Sequence, residues 1–189
     1  TAVSPEQYYS VTGVNGEFLD VVQVQTSWPV RPSTLDGTDF KVTLNDGSVV
    51  DPVASMIVPN FEYNERSVLI LNGEFGNRYP KTDSRSRYPV KVEVVRDATP
   101  LQLVGPRGKL ASAVGMTITN DKTPYDDQPS DPKKWTGPRI IAAKMTRMST
   151  LGENGPIPLK QGLLPNDGVS LYGEKKAKFR MRMLTVGGA

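Results

Sequence analysis

Short runs of residues with apolar side chains at every second position, each closed by proline or glycine, limit most sharply what this chain can fold into. A period of two puts one apolar face on an extended strand, and proline ends the pairing because it has no N–H to donate. The 17 glycines and 16 prolines fall between these runs rather than inside long periodic ones. Helical spacing is confined to Ser4 to Ser10 and Pro138 to Met148, where a turn or more could form. The punctuation predicts an all-β protein.

The strands can be read in order. Leu19 to Trp28 alternates, with Val22, Val24, Thr26 and Trp28 on one face and Val21, Gln23, Gln25 and Ser27 on the other. Pro29 and Pro32 end it. Phe40, Val42 and Leu44 form the face of a second strand, and Asn45-Asp46-Gly47 suits a hairpin turn returning through Ser48 to Val53. Ser67 to Leu71 is apolar on both faces and predicts a central strand; Val90, Val92 and Val94 predict a half-buried one. Between them, Asn77 to Tyr88 is rich in charge and predicts an exposed, mobile loop. Further strands are expected over Leu101 to Val104, Ala111 to Thr119, Arg139 to Met148, Val169 to Tyr172 and Lys178 to Val186.

Strands spaced by turns, each with one apolar face, are what a β-sandwich requires. The order of the Val21-to-Trp28 strand, a Pro-rich turn, Leu35, Asp39-Phe40-x-Val42-Thr43, Asp46-Gly47, then Val68 to Phe75 and Val90 to Val95 resembles the immunoglobulin-like modules of bacterial surface and secreted proteins. The resemblance covers about the first half of the chain. It implies an immunoglobulin-like β-sandwich with long loops, with Trp28 in the place of a buried core tryptophan. The expected organisation is a sandwich over residues 1–119, a linker or functional loop over 120–137, and strands over 138–189 that complete the sandwich or form a small second β-unit.

The chain contains neither histidine nor cysteine. Within it, that excludes nucleophiles relayed by imidazole, zinc sites built on His or Cys, haem and iron–sulfur ligation, and thiol chemistry. Carboxylates, lysine, tyrosine and oxygen-ligated metals remain. Glu17, Glu62, Glu65, Glu74 and Glu153 could supply the two acids a glycosidase needs, but nothing in the sequence pairs them. The formal charge of +3 is mild and does not point to nucleic acid. The apolar runs fall far short of a membrane span. The start at Thr1 rather than methionine fits a trimmed leader.

Three groups of residues could bind something. Asp121, Asp126, Asp127 and Asp131, in the polar, proline-broken stretch from Asn120 to Gly137, could wrap a calcium ion, although Lys122 would repel it. Lys178, Arg180 and Arg182 alternate with Phe179, Met181 and Met183, giving a strand with a basic stripe on one face, which could meet an anionic partner, and an apolar stripe on the other. Aromatic residues, Tyr8 and Tyr9 among them, could stack on sugar rings; Tyr125 and Trp135 are placed best because they fall in a loop. Ser130 to Lys133 matches Ser-x-x-Lys without the helix start that would aim it, and Gly105 to Lys109 reads as a turn.

The function expected from this reading is a non-catalytic extracellular or cell-envelope module, secreted, periplasmic or surface-held. It would act through its loops in adhesion or assembly, with a protein or glycan as partner. The alternative is a carbohydrate-binding or carboxylate-dependent glycan-processing domain. No cofactor is expected apart from calcium.

Overall fold

The computed structural model describes residues 5–57, 66–77, 79–80, 82–119, 133, 139–147, 158–159, 162–163, 176 and 178–186. It is an all-β structure with antiparallel sheets and a single α-helix among the described residues. The chain divides into two compact units, Thr1–Thr119 with Pro156–Leu164, and Asn120–Gly155 with Pro165–Ala189.

The first unit opens with α1 (Pro5–Thr12). Proline suits the first turn because an N–H there has no partner to lose, and Glu6 complements the helix dipole. Gly13 ends the helix at φ +74°, donating its N–H to the Tyr9 carbonyl at 2.8 Å. Then come β1 (Asp20–Gln25), β2 (Phe40–Leu44), β3 (Val49–Val50), β4 (Ala54–Met56), β5 (Val68–Gly73), β6 (Pro89–Val94), β7 (Gln102–Val104), β8 (Leu110–Ser112) and β9 (Thr117–Thr119). They form a three-stranded sheet β1-β5-β4, a four-stranded sheet β3-β2-β6-β9 and the ribbon β7-β8. A β11 (Pro158–Leu159) and β12 (Gly162–Leu163) pair also belongs to this unit.

The two larger sheets share one apolar core, in the manner of a sandwich. Leu69 and Leu71 of β5, with Val22 and Val24 of β1, pack with Phe40, Val42 and Leu44 of β2 and Val92 and Val94 of β6. Val30, Phe75, Leu101, Leu103 and Ala113 complete the cluster. Each fully buried side chain of this size stabilises the fold by roughly 1.5–3 kcal/mol relative to exposure. Phe75 packs so tightly on Gly73 that a Cβ there would sit 2.6 Å from the ring.

The expected faces of β1, β2 and β6 and the central place of β5 agree with the structure, and so does the hairpin turn, where Gly47 takes φ +85°. Three expectations need correction. Trp28 is 40% exposed rather than a core tryptophan; its ring lies over Gly105, where a Cβ would come within 2.9 Å of Cζ3. Ala111 to Thr119 is not one strand. Gly115, at φ +88°, turns the chain from β8 in the small ribbon to β9 at the edge of the four-stranded sheet. Ala54–Met56 is a strand that its mixed composition did not announce; it pairs with Asn72, Leu71 and Ile70.

In the second unit, β10 (Arg139–Arg147) pairs antiparallel with β13 (Phe179–Val186), with a bulge between Ile140 and Ala142. Among the described residues, no helix is long and apolar enough to cross a membrane.

Candidate functional site

The first unit has a small pocket on the outer side of the β1-β5-β4 sheet, and it begins with one residue out of keeping with its strand. After four apolar residues β5 reaches Asn72, which lies between Val21 of β1 and Ala54 of β4 and is fully buried. Asparagine is a poor strand residue, and a buried one needs its hydrogen bonds met. The Asn72 main-chain carbonyl accepts the Val53 N–H at 2.7 Å, and its side-chain Oδ1 accepts from the Tyr8 hydroxyl. Its Nδ2 has no partner among the described residues. Such a group costs about 1–3 kcal/mol when buried.

α1 delivers Tyr8 to this position. Its ring lies against Gly16, where a Cβ would meet Cδ1 at 2.7 Å, so only glycine leaves room. Burial raises the Tyr8 pKa above the ordinary phenol range, more than the bond to Asn72 lowers it, so the hydroxyl is neutral and keeps its proton. Pro5, Tyr8, Gly16, Leu19, Val21 and Asn72 line a half-open pocket of about 270 Å³. None of these side chains is charged.

Between Gly16 and Leu19 stands Phe18, 87% exposed and held at φ +61°. That conformation is uncommon for any residue but glycine, asparagine or aspartate. The turn around it is tied by the Leu19 N–H to the Gly16 carbonyl at 3.2 Å and by the Glu17 N–H to Asn15 Oδ1 at 3.1 Å. A large aromatic ring is thus presented to solvent from the turn between Gly16 and Leu19, two residues that line the pocket.

A second cluster has the ingredients of acid–base chemistry without the access. Asp39 is fully buried; its Oδ2 accepts the Asp36 N–H at 2.8 Å and its Oδ1 has no partner among the described residues. Burial pushes its pKa up to about 6, against the pull of the Asp36 N–H and helped by the Asp97 and Asp36 charges. Asp36 moves the other way, lowered chiefly by the Thr38 hydroxyl, which also reaches Asp97 at 2.6 Å. A split pair of this kind could serve as acid and base, but a carboxyl sealed from solvent meets no substrate. Nor do these oxygens form a cage, since among the described residues no three acidic groups are arranged to hold a metal ion.

The loop from Asn77 to Tyr88 is exposed, as expected, but it is folded on itself. Asn77 donates its Nδ2 to the Arg85 carbonyl at 2.7 Å and accepts from the Arg87 N–H at 3.1 Å. Asn45 in the hairpin turn holds the other end, donating to the Ser86 carbonyl and accepting from the Tyr88 N–H, each at 3.0 Å. Arg87 pairs with Asp46, and Arg85 stacks 4.1 Å from the centre of the Tyr79 ring while pairing with Asp83. These contacts pin the loop to the β2–β3 turn.

Of the residues singled out from sequence, Tyr125, Trp135, Asp121, Asp126, Asp127 and Asp131 lie outside the described residues. Lys178 is exposed, immediately before β13. Arg180 and Arg182 occupy β13 opposite Thr146 and Lys144, and their side chains lie outside the described set. Phe179, Met181 and Met183 are exposed, as are Ile140 and Met145 of β10, so this stripe is not core.

Compared with known proteins, the chain matches no family model, no curated protein and no solved structure. The pocket therefore stands on its own geometry. Sequence reasoning noticed Tyr8 only as one aromatic among many and passed over Phe18 and Asn72. The signal for Asn72 was present, as a polar residue set directly after Val68-Leu-Ile-Leu71. Nothing local marks Tyr8 as its partner, because 64 residues separate them.

Proposed function

We propose that this chain is a non-catalytic binding module with an immunoglobulin-like sandwich as its first unit, secreted or held at the cell envelope, and that the pocket under α1 takes a small neutral ligand. The observation that carries the reading is the pocket of about 270 Å³ itself, lined by Tyr8, Asn72 and apolar groups with no charged side chain among the described residues. Uncharged walls with one or two placed polar groups are the usual composition of a small-molecule site. Binding rather than turnover is favoured because no lining residue can take up a proton at neutral pH, and the sequence holds no histidine or cysteine. The sandwich reading is supported by two antiparallel sheets over one core and by the order of strands that resembles bacterial surface modules.

The test is a titration of the ¹⁵N-labelled full chain with neutral small-molecule fragments. Saturable shifts of the Tyr8, Gly16 and Asn72 resonances are expected, with every compound recovered unchanged. Shifts confined to other regions would overturn the site, and chemical conversion of a bound compound would overturn the non-catalytic reading.

A further inference from the structure

We infer that the outer edge of β1 docks on the same edge of a second copy of this chain, joining two three-stranded sheets across a two-fold axis. The bonding alternation of an antiparallel pair locates the free groups. β1 and β5 run in register from Asp20↔Gly73 to Gln25↔Val68, and the Thr26 N–H continues the ladder by donating to the Ser67 carbonyl at 2.8 Å. Bonded and non-bonded pairs alternate along such a ladder. The main-chain groups of Val24, Val22 and Asp20 therefore turn toward β5, and those of Val21, Gln23 and Gln25 turn away from it. Among the described residues, these outward N–H and C=O groups have no backbone partner.

The other edges of the two larger sheets are covered or short. At the far end of the same sheet, the turn Gly37–Asp39 packs against β4, where a Cβ on Gly37 would lie 2.8 Å from the Pro52 carbonyl oxygen and 3.4 Å from Ala54 Cα. β3 and β9, the edges of the four-stranded sheet, hold two and three residues. β1 holds six, without the bulge, proline or lysine that usually keeps edges apart. Its side chains are also incompletely covered. Val22 and Val24 face the core yet are only half-buried, whereas Leu71 and Leu69 opposite them are fully buried.

The strand is complementary to itself. Antiparallel pairing centred on Gln23 sets Gln23 opposite its counterpart, Val22 opposite Val24 and Val21 opposite Gln25, with the two core faces on the same side. All three outward residues of each copy then exchange main-chain bonds, Val22 and Val24 cover one another, and the two exposed Gln23 amides meet at the axis. Asp20, the one charged residue of the strand, overhangs opposite Thr26, so no like charges meet. Centring on Val22 instead would set the Asp20 carboxylate against Val24. One short strand a side is small beside the roughly 1,200–2,000 Å² of stable interfaces, so a Kd of about 10–500 µM is expected.

The experiment combines sedimentation with amide hydrogen exchange on the full chain, from about 5 µM to about 1 mM. A dimer is expected to form as concentration rises. The Val21, Gln23 and Gln25 amides should become protected in step with it, while those of Val22 and Val24, bonded to β5, are protected throughout. Gln23→Lys changes an exposed side chain and leaves the monomer folded, but it sets two ammonium groups together at the axis and should weaken the dimer about tenfold or more. Gln23→Glu should do the same, and an equimolar mixture of the two variants should pair at least as well as the parent. That rescue requires residue 23 to face residue 23, which no unrelated partner strand supplies. A chain still monomeric at the highest concentration would overturn the proposal, as would a dimer that ignores Gln23→Lys or leaves the three outward amides unprotected. Full protection of those amides in the monomer would place another segment of this chain on the edge and overturn it equally.

Discussion

β5 shows two ways of using a strand, one on each face. Leu69, Leu71 and Gly73 lie on the face toward the shared core, where Phe75 closes over Gly73 and the side chains of both sheets meet. Val68, Ile70 and Asn72 lie on the other face, at the register positions of Gln25, Gln23 and Val21, and that face holds the buried Asn72 and the pocket with Tyr8. The first face contains no polar side chain. The second tolerates an unpaired amide and a cavity, both of which weaken a fold. A strand buried on both sides can therefore devote one face to stability and leave the other able to recognise something, because the first face contributes enough for both.

Adjacent residues of β5 give the sharpest way to break this comparison. Leu71→Ala should destabilise the first unit by about 3 to 4 kcal/mol, since a fully buried leucine leaves a cavity that a two-sheet core closes only in part. Asn72→Leu should change stability by about 1 kcal/mol or less, because relief of an unpaired buried donor offsets loss of the hydrogen bond from the Tyr8 hydroxyl. Urea unfolding of the two variants measures both. Equal losses would mean that Asn72 holds the fold and is no binding group.

Asp39, buried just ahead of β2 in the four-stranded sheet, tests the same contrast with a polar group in the other sheet. Its folded pKa of about 6 lies above the ordinary value of 3.8, so the folded state binds the proton more tightly. The stability it contributes is complete below pH 4 and is lost as pH rises through 6, amounting to about 2 to 3 kcal/mol. Asp39→Asn should flatten the stability profile between pH 4 and 6 and leave the variant more stable than the parent at pH 7. Asp36, lowered rather than raised, acts in the opposite sense and only in more acid solution. A profile unchanged by Asp39→Asn would assign the pH dependence to other groups.

How much of this was legible in the sequence follows the range of the forces involved. Alternation fixed the faces of β1, β2 and β6, because burial of one side of a strand is written locally. The Asn-Asp-Gly turn was readable for the same reason, since the backbone angle is a property of the residue that adopts it. Ala54–Met56 was not, because its pairing with β5 comes from a strand more than ten residues away and its own composition carries no period. Trp28 was misplaced because a large ring can pack on Gly105 at the surface as readily as in a core. The pocket was invisible because it joins a helix near the N-terminus to the end of β5, and only the fold brings Tyr8 to Asn72.

Phe18 sharpens the comparison with the smallest effect. Its ring is exposed, so removing it forfeits little burial, whereas its left-handed backbone is a standing cost that asparagine bears more easily. Phe18→Asn should therefore raise stability slightly, by about 0.5 to 1 kcal/mol, a rise in Tm of a few degrees. A gain in Phe18→Asn would show that the fold does not require the aromatic ring at this position. Loss of stability in Phe18→Asn would instead make the turn a structural element, with its exposed ring serving some contact within the fold.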